Sequence, residues 1–599
     1  MGQTLIEKIL SNHSEVPVNA GDIADIVIDA RIARDFGGAN VVKNIRDHGL
    51  DVNDSAKTFF TFDCNPGGSD QKYATNQQIC RMFARENDIP VYDINAGIGT
   101  HIAIDEGLIT PGGTLVSTDS HANILGAIGA FGQGMGDQDI AAAWANGRIW
   151  FKAPKSVRVT LLDQPPENTT PKDIVLRLLK ELGAAGLLGY AAEFYGSYVD
   201  GINLSARITI ASMATEMAGI IALFPPNDDV INHFKNLGKD FDPVYADEDA
   251  TYDQTIEVDI SNLEPMISRP GHPEDVVPVQ QVKGTKIDSA FIGSCTNGRW
   301  EDMQAAAAIL KDKKVAPDVV LKIVPSTRKI WQRCLDEGLI DIFMKAGALV
   351  GNAGCAGCAA GQIGQNGPGE ITISTGNRNF AGKQGKGEVY LASPATVAAS
   401  AIAGSITSAD AIPDKPAVFN VQKKETAKIQ RSTTITEKPT KLKGRVWVIR
   451  VDNIDTDMIF HNRYLAITDI NEMGQYTFDN LEGWTDFSRK AKPGDMVVTG
   501  VNFGAGSSRQ QAVDCFKSLG VQAIIAKSFG AIYERNAINA GMPIITSNLA
   551  DTDIADGEEI ELNLATGEIV RLKNNQKIQA DPFSDIQMTI YQKDGIFNL

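Results

Sequence analysis

The sequence predicts an α/β protein with mostly parallel sheets, followed by a smaller C-terminal domain. Short apolar runs alternate with amphipathic stretches of helical period between about residues 26 and 401, which is typical of parallel sheets covered by helices. A polar stretch rich in Lys and Thr separates this region from a final part that opens with a new apolar run. A length of 599 residues leaves room for about four domains.

The apolar runs that we interpret as strands are short and several end at small or polar residues. In the first region they lie at 57–63, 113–120, 156–163, 287–294 and 318–326, with helices predicted at Thr170–Leu182 and Ala305–Lys311. In the final part they lie at 444–452, 495–501 and 521–528. Ligands of open α/β sheets bind beyond the carboxyl ends of strands. The turns DCNPGGS, DSHAN and SCTNGR, which follow three strands, are therefore where we expect a site.

The segment 409–442 is predicted to be a linker, since most of the polar stretch KKETAKIQRSTTITEKPTKLKG (423–444) lies in it. The formal charge of −18 argues against a nucleic-acid partner, because an acidic surface repels phosphate backbones. Neither a signal-peptide apolar segment nor an uncharged apolar run long enough to span a membrane is present. Seven cysteines are too few for a disulfide-built protein of this size. We expect a soluble cytoplasmic protein.

Three cysteines form a candidate metal site. Cys355 and Cys358 are a CxxC pair among Gly and Ala, which alone fits half of a zinc site, a redox pair or an accidental spacing. Cys295 lies in GSCTNGR, and a lone cysteine of this kind is more often a small buried residue. A structural zinc site is normally closed by four ligands. Three thiolates without an obvious fourth suit an iron–sulfur cluster that leaves one iron open.

The segment NFGAGSSRQQA (502–512) is a candidate anion site. A Gly-rich turn ahead of a helix directs N–H groups at an anion, and Arg509 can bind a carboxylate through two N–H groups. A serine there could act as a base, although an ordinary Ser is a very weak acid. The alternative is a phosphate-type or purely structural turn. Elsewhere, Asp119 is positioned to tune the imidazole of His121, although a lone His is more often structural.

Six segments occur in the same order as in one known family. They are STDSHANILGAIGAFGQGMGDQDIAAAWANGRIWFKAP (117–154), GSCTNGRWEDM (293–303), STGNRNFAGKQG (374–385), VDNIDTD (451–457) with RYL after it, NFGAGSSRQQA (502–512) and SFGAIYERNAINAGMP (528–543). Together with the CxxC pair, they resemble the aconitase and isopropylmalate dehydratase family over nearly the whole chain. The resemblance implies an aconitase-like α/β fold. It has three α/β/α units in a cluster-binding region at 1–408, with one boundary near 285, and a β/β/α swivel domain at 443–599.

The resemblance also implies a cofactor and roles for individual residues. The cofactor is a [4Fe-4S] cluster with one iron that no cysteine binds, and its ligands are Cys295, Cys355 and Cys358. Ser507 is the base that removes a proton from the substrate. The other catalytic residues are His101, Asp119, His121, Asp63 and Glu216. The residues implied to bind substrate are Arg378, Lys383, Ser508, Arg509, Ser120, Thr456 and Asp457.

Three positions depart from the family pattern. Cys64 stands where the family has a histidine, and a thiol is a poorer acid than an imidazolium near neutral pH. Lys383 stands where an arginine is usual, which is not conservative for a bidentate contact. The segment RYLAIT (463–468) places Ala466 and Ile467 in the loop that reads the substrate's third substituent. These apolar residues favour an apolar substituent over a third carboxylate.

The sequence thus predicts an enzyme: a [4Fe-4S] hydro-lyase that isomerises a hydroxy acid by dehydration and rehydration. The best substrate is a substituted malate such as 3-isopropylmalate, and the alternative is aconitate hydratase activity on citrate and isocitrate. A cluster-free RNA-binding regulator is a different class, which the negative charge disfavours, and a structural zinc protein is a third. The expected partner is a small anionic carboxylate, with no nucleic acid and no membrane, and the chain is expected to be monomeric.

Overall fold

The structure is a computed structural model that describes residues 2–67, 70–358, 362–419 and 437–598. The chain divides into two compact units, Met1–Gln422 and Lys423–Leu599, called unit 1 and unit 2 below. Half of the predicted linker, at 420–436, lies outside the described residues. Its first end carries a short 3-10 helix at Ala409–Ala411, and the first strand of unit 2 begins at Lys441, inside the segment predicted as linker.

The strands of unit 1 follow one another along the described chain. They are β1 (Ile23–Val27), β2 (Ala30–Arg34), β3 (Thr58–Thr61), β4 (Val91–Tyr92), β5 (Thr114–Ser117), β6 (Phe131–Gly134), β7 (Arg148–Lys152), β8 (Lys155–Leu162), β9 (Tyr190–Tyr195), β10 (Ile221–Leu223), β11 (Gln254–Asp259), β12 (Met266–Ser268), β13 (Val276–Pro278), β14 (Ser289–Ile292), β15 (Val320–Ile323), β16 (Leu349–Val350), β17 (Ile371–Ser374) and β18 (Glu388–Ala392). In unit 2 they are β19 (Lys441–Ile449), β20 (Met496–Thr499), β21 (Ala523–Ala526), β22 (Ile544–Thr546), β23 (Glu559–Asn563), β24 (Glu568–Arg571) and β25 (Gln576–Gln579).

The α-helices fall mostly between the strands. In unit 1 they are α1 (Leu5–Asn12), α2 (Gly38–Asp47), α3 (Gln71–Glu86), α4 (Gly99–Asp105), α5 (Asp137–Asn146), α6 (Pro171–Leu182), α7 (Ser197–Gly201), α8 (Leu204–Ala211), α9 (Asp228–Asn236), α10 (Trp300–Leu310), α11 (Arg328–Asp336), α12 (Leu339–Ala346) and α13 (Pro394–Ala403). In unit 2 they are α14 (Thr456–Ile459), α15 (Ile470–Met473), α16 (Phe487–Lys490), α17 (Gln511–Ser518), α18 (Ala531–Asn539) and α19 (Asp585–Gln592). Within the described ranges, no helix is long and apolar enough to cross a membrane.

Helix α6 illustrates how local sequence sets an element. Thr170 and Asp173 form a capping box, and Pro171 occupies the first helical position, where the missing N–H costs nothing. Gly183 follows the helix with a φ of +71°, a value that side chains rarely allow. The prediction of a helix over Thr170–Leu182 was therefore correct to within one residue.

In the described residues of unit 1 the strands form three large sheets and a two-stranded ribbon of β1 and β7. The strand orders are β4-β3-β2-β5-β6, β10-β9-β8-β11 and β13-β12-β18-β17-β14-β15-β16. The first two sheets are parallel throughout. The third is parallel except where β12 pairs with β13 and β18. The α/β class with mostly parallel sheets is confirmed.

The strands that lead to the candidate site are buried along their whole length. Every residue of β2, β3, β5 and β14 is buried, as expected for parallel strands covered on both faces. In β2, Ile32 is paired with Phe59 of β3 on one side and with Ser117 of β5 on the other. The register therefore brings the carboxyl ends of three strands to one edge of the sheet.

Unit 2 has one mixed seven-stranded sheet in the order β22-β21-β20-β19-β23-β24-β25. The pairs from β22 to β19 are parallel, and those from β19 to β25 are antiparallel. The predicted strands of this region correspond to β19, β20 and β21. The turn after β20 leads into α17 and carries the serine segment.

Candidate active site

The predicted site residues of unit 1 lie at the carboxyl ends of parallel strands, where α/β sheets bind ligands, and these strands belong to two different sheets. Asp63 and Cys64 follow β3 and Asp119 to His121 follow β5 in one sheet, whereas Cys295 follows β14 and Arg378 follows β17 in another. Separate segments of the chain supply His101 in α4, Glu216 in a 3-10 turn at Ala214–Met217, and the CxxC pair after β16. The fold of unit 1 thus brings together residues that are far apart in sequence.

The turn after β14, which carries Cys295, has an unusual backbone conformation at the residue before the cysteine. Ser294 has a φ of +78°, which is uncommon for a residue with a side chain. The side chain of Thr375 bonds both backbone groups of Gly293, accepting from its N–H and donating to its carbonyl, each at 2.9 Å. This contact ties the cysteine turn after β14 to the turn after β17.

The CxxC segment is tied to the turn after β3. The backbone N–H of Cys355 donates to the carbonyl of Asp63 at 2.9 Å. The preceding Gly354 has a φ of +156°, and a Cβ there would lie 2.5 Å from the Nε2 atom of Gln362. This backbone conformation and the Asp63 carbonyl, which would lie 3.0 Å from such a Cβ, both favour glycine here.

The three candidate ligand cysteines carry free thiols and influence one another. None of the seven cysteines is in a disulfide. A hydrogen bond between the thiols of Cys355 and Cys358 and the positive charge of Lys383 hold the pKa of Cys358 below its ordinary value. Burial raises the pKa of Cys295, as does the nearby carboxylate of Asp119. Cys358 is thus the thiol that is prepared to be an anion, which is the form that binds metals.

Another trio of potential ligands is already engaged. Asp35, Asp63 and Cys64 bring their ligand atoms within 4.8 Å of one another. However, the Asp35 carboxylate accepts from the backbone N–H groups of Asp63, Cys64 and Asn65 and from the Gln77 side chain, at 3.0–3.3 Å. A carboxylate that has four N–H partners holds the turn after β3 in place and is not open to a metal.

Asp63 and Asp119 are joined by Arg34, which ends β2 between the strands that carry them. The guanidinium Nε donates to Asp63 Oδ1 at 2.7 Å, and Nη1 pairs with Asp119 Oδ1 at 3.0 Å. The other Asp63 oxygen accepts from the N–H of Gly99 at 2.9 Å. Burial raises the pKa of Asp63 to about 6, although Arg34 opposes this, and burial raises the pKa of Cys64 well above its ordinary value. Cys64 is therefore a neutral thiol at pH 7.

A second buried network surrounds His121. Its Nε2 lies 3.2 Å from Glu216 Oε1, and the same oxygen accepts from Arg378 Nε at 2.7 Å. The Asn377 side chain contacts the same ring nitrogen, and Ser120 Oγ lies 3.2 Å from Nδ1. Burial raises the pKa of Glu216, but His121 and Arg378 outweigh it and the pKa falls below its ordinary value. Glu216 is thus an anion that orients the imidazole and the guanidinium.

His101 is fully buried, and burial together with the charge of Arg299 lowers its pKa to about 4. Its Nε2 lies 3.0 Å from the carbonyl oxygen of Cys295, which can only accept, so Nε2 carries the hydrogen. The Nδ1 lone pair has no partner among the described residues. A neutral imidazole can accept a hydrogen bond there from a bound water or hydroxyl.

The chemistry of the donor set fits an iron–sulfur cluster. Three free thiols lie together, one of them with a lowered pKa. His101 Nδ1 and Glu216 Oε2 are buried without a hydrogen-bond partner in the described part of the chain. Buried polar atoms are rarely left unpaired, so these two atoms point to a polar group that binds nearby.

Two lysines support the same region. Lys172 of α6 is completely buried, donates to the carbonyls of Thr375 and Gly376 at 3.2 and 2.7 Å, and has its pKa lowered to about 8 by burial. It supports the turn that carries Arg378. Lys383, which we expected to bind substrate, acts on the Cys358 thiol.

In unit 2 the serine segment is exposed and Arg509 is buried. Ser507 and Ser508 are exposed, whereas Arg509 is 8% exposed and its two terminal nitrogens each lie 2.6 Å from an oxygen of Asp457. The N–H of Thr456 donates to the carbonyl of Ala505 at 2.9 Å, and Thr456 Oγ1 is buried without a partner in the described ranges. The predicted residues Thr456, Asp457, Ser507, Ser508 and Arg509 thus form one group.

Sequence reasoning missed Arg34, Lys172 and Asn377. Arg34 has a visible signal, since a charged residue at the end of a buried strand needs partners. Asn377 lies inside the segment 374–385 that was identified, but only Arg378 and Lys383 were chosen from it. For Lys172 no signal is visible in the sequence, because a lysine in the first turn of an amphipathic helix is normally solvent-exposed.

Comparisons with known proteins identify what the chain is similar to. The profile of the aconitase family (aconitate hydratase) matches residues 7–284 and 279–404, and that of the aconitase C-terminal domain matches residues 418–549. The large subunit 1 of 3-isopropylmalate dehydratase from Methanopyrus kandleri is 39% identical over 412 residues, covering 68% of this chain and 99% of that protein. A probable large subunit of the same enzyme from Methanothermobacter thermautotrophicus is 40% identical over 413 residues, with the same coverage.

A solved structure matches a smaller share of the chain. It is a 3-isopropylmalate dehydratase from Methanocaldococcus jannaschii, 38% identical, covering 26% of this chain and 92% of that one with a TM-score of 0.25.

Proposed function

The chain belongs to the aconitase family, and we propose that this hydro-lyase dehydrates and rehydrates a substituted malate, with 3-isopropylmalate as the best candidate. The observation that carries the proposal is the placement of three free thiols beside two buried networks, Asp63–Arg34–Asp119 and His121–Glu216–Arg378. Such a group can hold a metal cluster and also bind and protonate an anionic substrate.

Family membership implies an iron–sulfur cluster, and we assign Cys295, Cys355 and Cys358 as the ligands of a [4Fe-4S] cluster. When bound, a cluster with one iron free of cysteine supplies a Lewis acid for a hydroxyl and a carboxylate. The lowered pKa of Cys358 supports this assignment, because a ligating thiol must lose its proton.

The residues of unit 1 bind and orient the substrate and its leaving hydroxyl. His101, with its free Nδ1 lone pair, accepts a hydrogen bond from water or from the substrate hydroxyl. Asp119 and Glu216 fix the position of His121, and Arg378 uses its terminal nitrogens to bind a carboxylate. We assign Asp63 to the acid–base set, and Ser120, which contacts His121, and Lys383, which acts on Cys358, as further polar contacts for the substrate.

The residues of unit 2 remove the proton. We assign Ser507 as the base that takes the proton alpha to a carboxylate, and Ser508 and Arg509 as carboxylate ligands. Asp457 holds the Arg509 guanidinium through two nitrogens, which presets the geometry of the loop. A neighbouring guanidinium and the N–H groups ahead of α17 stabilise an alkoxide.

The loop at 463–468 favours a substrate with an apolar substituent. Ala466 is exposed and Ile467 packs against the core of unit 2. The cation of this loop, Arg463, is paired with Asp479 at 2.6 Å. The exposed apolar Ala466 is the observation that favours isopropylmalate over citrate.

We further propose that the enzyme acts in the cytoplasm as a single chain. Seven free cysteines suit a reducing compartment. The large-subunit relatives match 68% of this chain, and the C-terminal domain profile matches residues 418–549. The chain therefore carries both parts and is proposed to need no separate small subunit.

The test is an anaerobic assay of the reconstituted protein on a panel of alkene di- and tricarboxylic acids, followed at their ultraviolet absorbance. The panel holds isopropylmaleate, citraconate, dimethylmaleate, cis-aconitate and homoaconitate. We expect fastest hydration of isopropylmaleate. Fastest turnover of cis-aconitate would replace the substrate assignment with aconitate hydratase activity, and turnover of none would contradict the hydro-lyase proposal.

A further inference from the structure

We propose that Arg34 binds a carboxylate of the substrate through its Nη2 atom, as a second guanidinium of unit 1 beside Arg378. The inference rests on the proposed hydro-lyase function for the identity of the substrate. The geometry of Arg34 and of its neighbours carries it, since no sequence pattern assigned a role to this residue.

Arg34 is 7% exposed and two of its three nitrogens are engaged. Nε donates to Asp63 at 2.7 Å and Nη1 pairs with Asp119 at 3.0 Å. Nη2 is buried and has no hydrogen-bond partner among the described residues. A buried guanidinium nitrogen is a strong donor and is rarely left without an acceptor.

The acids near Arg34 do not accept a hydrogen bond from Nη2, since each of them accepts hydrogen bonds from other N–H groups. Asp63 also accepts from the N–H of Gly99 at 2.9 Å, and Asp119 from the N–H of His121 at 3.0 Å. Asp35, the next residue, uses its oxygens for three backbone N–H groups and one side-chain amide. The free donor is therefore available to an acceptor that enters the site.

The two acids also fix the guanidinium before a ligand arrives. Because Asp63 and Asp119 follow strands on opposite sides of β2, they hold the group from both sides. A preorganised donor loses little freedom on binding, which strengthens the contact. Arg378 is built in the same way, since its Nε is anchored by buried Glu216 and its terminal nitrogens form no hydrogen bond with the described residues.

Arg34 sits where a substrate carboxylate is expected. It ends β2 beside the turns that carry Cys64 and Cys355, and although burial opposes this, the carboxylates of Asp119 and Asp63 hold its pKa above the ordinary value, so the guanidinium stays charged. A dicarboxylate held near the three cysteines needs a cation for each end, and guanidinium is the side chain that matches a carboxylate best.

Arg31 of the same strand is a matched control. It is 2% exposed, and its Nε and Nη1 also lack partners in the described part of the chain. Its Nη2 donates to the carbonyl of Ile28 at 3.1 Å, at the amino end of β2 and away from the cysteines. Replacing Arg31 removes a buried guanidinium of the same kind without touching the proposed carboxylate contact.

The experiment measures binding and not turnover. Methylsuccinate, a diacid without a hydroxyl, and butyrate, a monoacid, are titrated calorimetrically into the cluster-loaded full chain. The variants are Arg34→Gln, Arg34→Lys and Arg31→Gln, and the thermal unfolding midpoint of each reports folding. We expect Arg34→Gln to lower the affinity for methylsuccinate by about 10- to 100-fold and that for butyrate much less. The affinity of Arg34→Lys for methylsuccinate should lie between those of Arg34→Gln and wild type, and the affinity of Arg31→Gln should equal that of wild type.

Several results would overturn the inference. They are a wild type that does not prefer the diacid, an Arg34→Gln variant that keeps the preference, and an Arg31→Gln variant that loses it equally. If Arg34→Gln does not fold, Arg34→Lys provides the test. A preference for methylsuccinate over butyrate that is unchanged in Arg34→Lys also overturns the inference, because a lysine makes only a single point contact. Diacid binding that depends on Arg34, without turnover of any alkene, would contradict the proposed function and leave the carboxylate contact standing.

Discussion

The two units position their functional groups in opposite ways. In unit 1 the site acids and histidines are buried and are anchored by hydrogen bonds and ion pairs, as in the Asp63–Arg34–Asp119 network. In unit 2 the proposed base Ser507 is exposed, and only its neighbour Arg509 is held, by Asp457. Burying charges costs free energy that pairing only partly returns. Unit 1 therefore fixes the geometry of its charged groups at a cost in folding free energy, whereas unit 2 presents its hydroxyls on a backbone turn.

The largest effect is expected from removing a proposed cluster ligand. Cys355→Ser should lose bound iron and reduce activity by at least about 1000-fold, because a hydroxyl replaces a thiolate ligand. Cys334→Ser is the matched control, since Cys334 is also completely buried but lies in α11 away from the site. Iron per chain and the hydration rate are measured on the same samples. Equal iron loss in both variants would mean that the effect is one of folding.

The second effect tests whether unit 2 moves the proton without holding the cofactor. Ser507→Ala should lower kcat by about 100- to 10,000-fold with little change in KM and with full iron content. Ser508→Ala, the neighbouring exposed hydroxyl, should raise KM more than it lowers kcat. Full activity in Ser507→Ala would refute the base assignment, and iron loss would break the proposed division of roles between the units.

A smaller effect should follow from releasing Arg509. Asp457→Asn removes the charge that fixes the guanidinium, so KM should rise by about 3- to 10-fold, with an unfolding midpoint close to wild type because Asp457 is partly exposed. Asp486→Asn, which breaks the exposed pair with Lys490, is the control and should change neither value. An unchanged KM in Asp457→Asn would show that this pair does not order the loop.

The smallest effect concerns the pH dependence of stability in unit 1. Burial lowers the pKa of Lys172 from 10.5 to about 8, so between these pH values the unfolded chain binds a proton that the folded chain does not. The contribution of Lys172 to the free energy of unfolding therefore increases as the pH rises from 8 to 10.5. The unfolding free energy of wild type relative to Lys172→Met should increase over this range, by no more than about 3 kcal/mol.

Denaturant unfolding at pH 7.5, 9 and 10.5 measures this difference. A flat difference would place the Lys172 ammonium in contact with water. A difference that falls with pH would reverse the sign of the shift and contradict the burial of this lysine.

The strands could be predicted because buried parallel strands are short apolar runs in the sequence. The site turns could be predicted because they lie where those runs end. Asp63, Asp119 and Cys295 were located for this reason. Arg34 was not assigned a role, since its partners come from strands on both sides of β2 and sheet order cannot be read from chain order. Lys172 was not predicted because its burial depends on the turn at Thr375 and Gly376, which follows it by about 200 residues. What the sequence lacked was the arrangement of strands in the sheet.

The most direct test of the account is whether hydration depends on the cluster. The full chain is reconstituted anaerobically to graded iron and sulfide contents, and the hydration rate of isopropylmaleate is measured for each sample. The rate should rise in proportion to iron, up to about four irons per chain, and should be absent from zinc-loaded protein. Equal rates in iron-free or zinc-loaded chain would contradict the proposal that this protein is an iron–sulfur hydro-lyase.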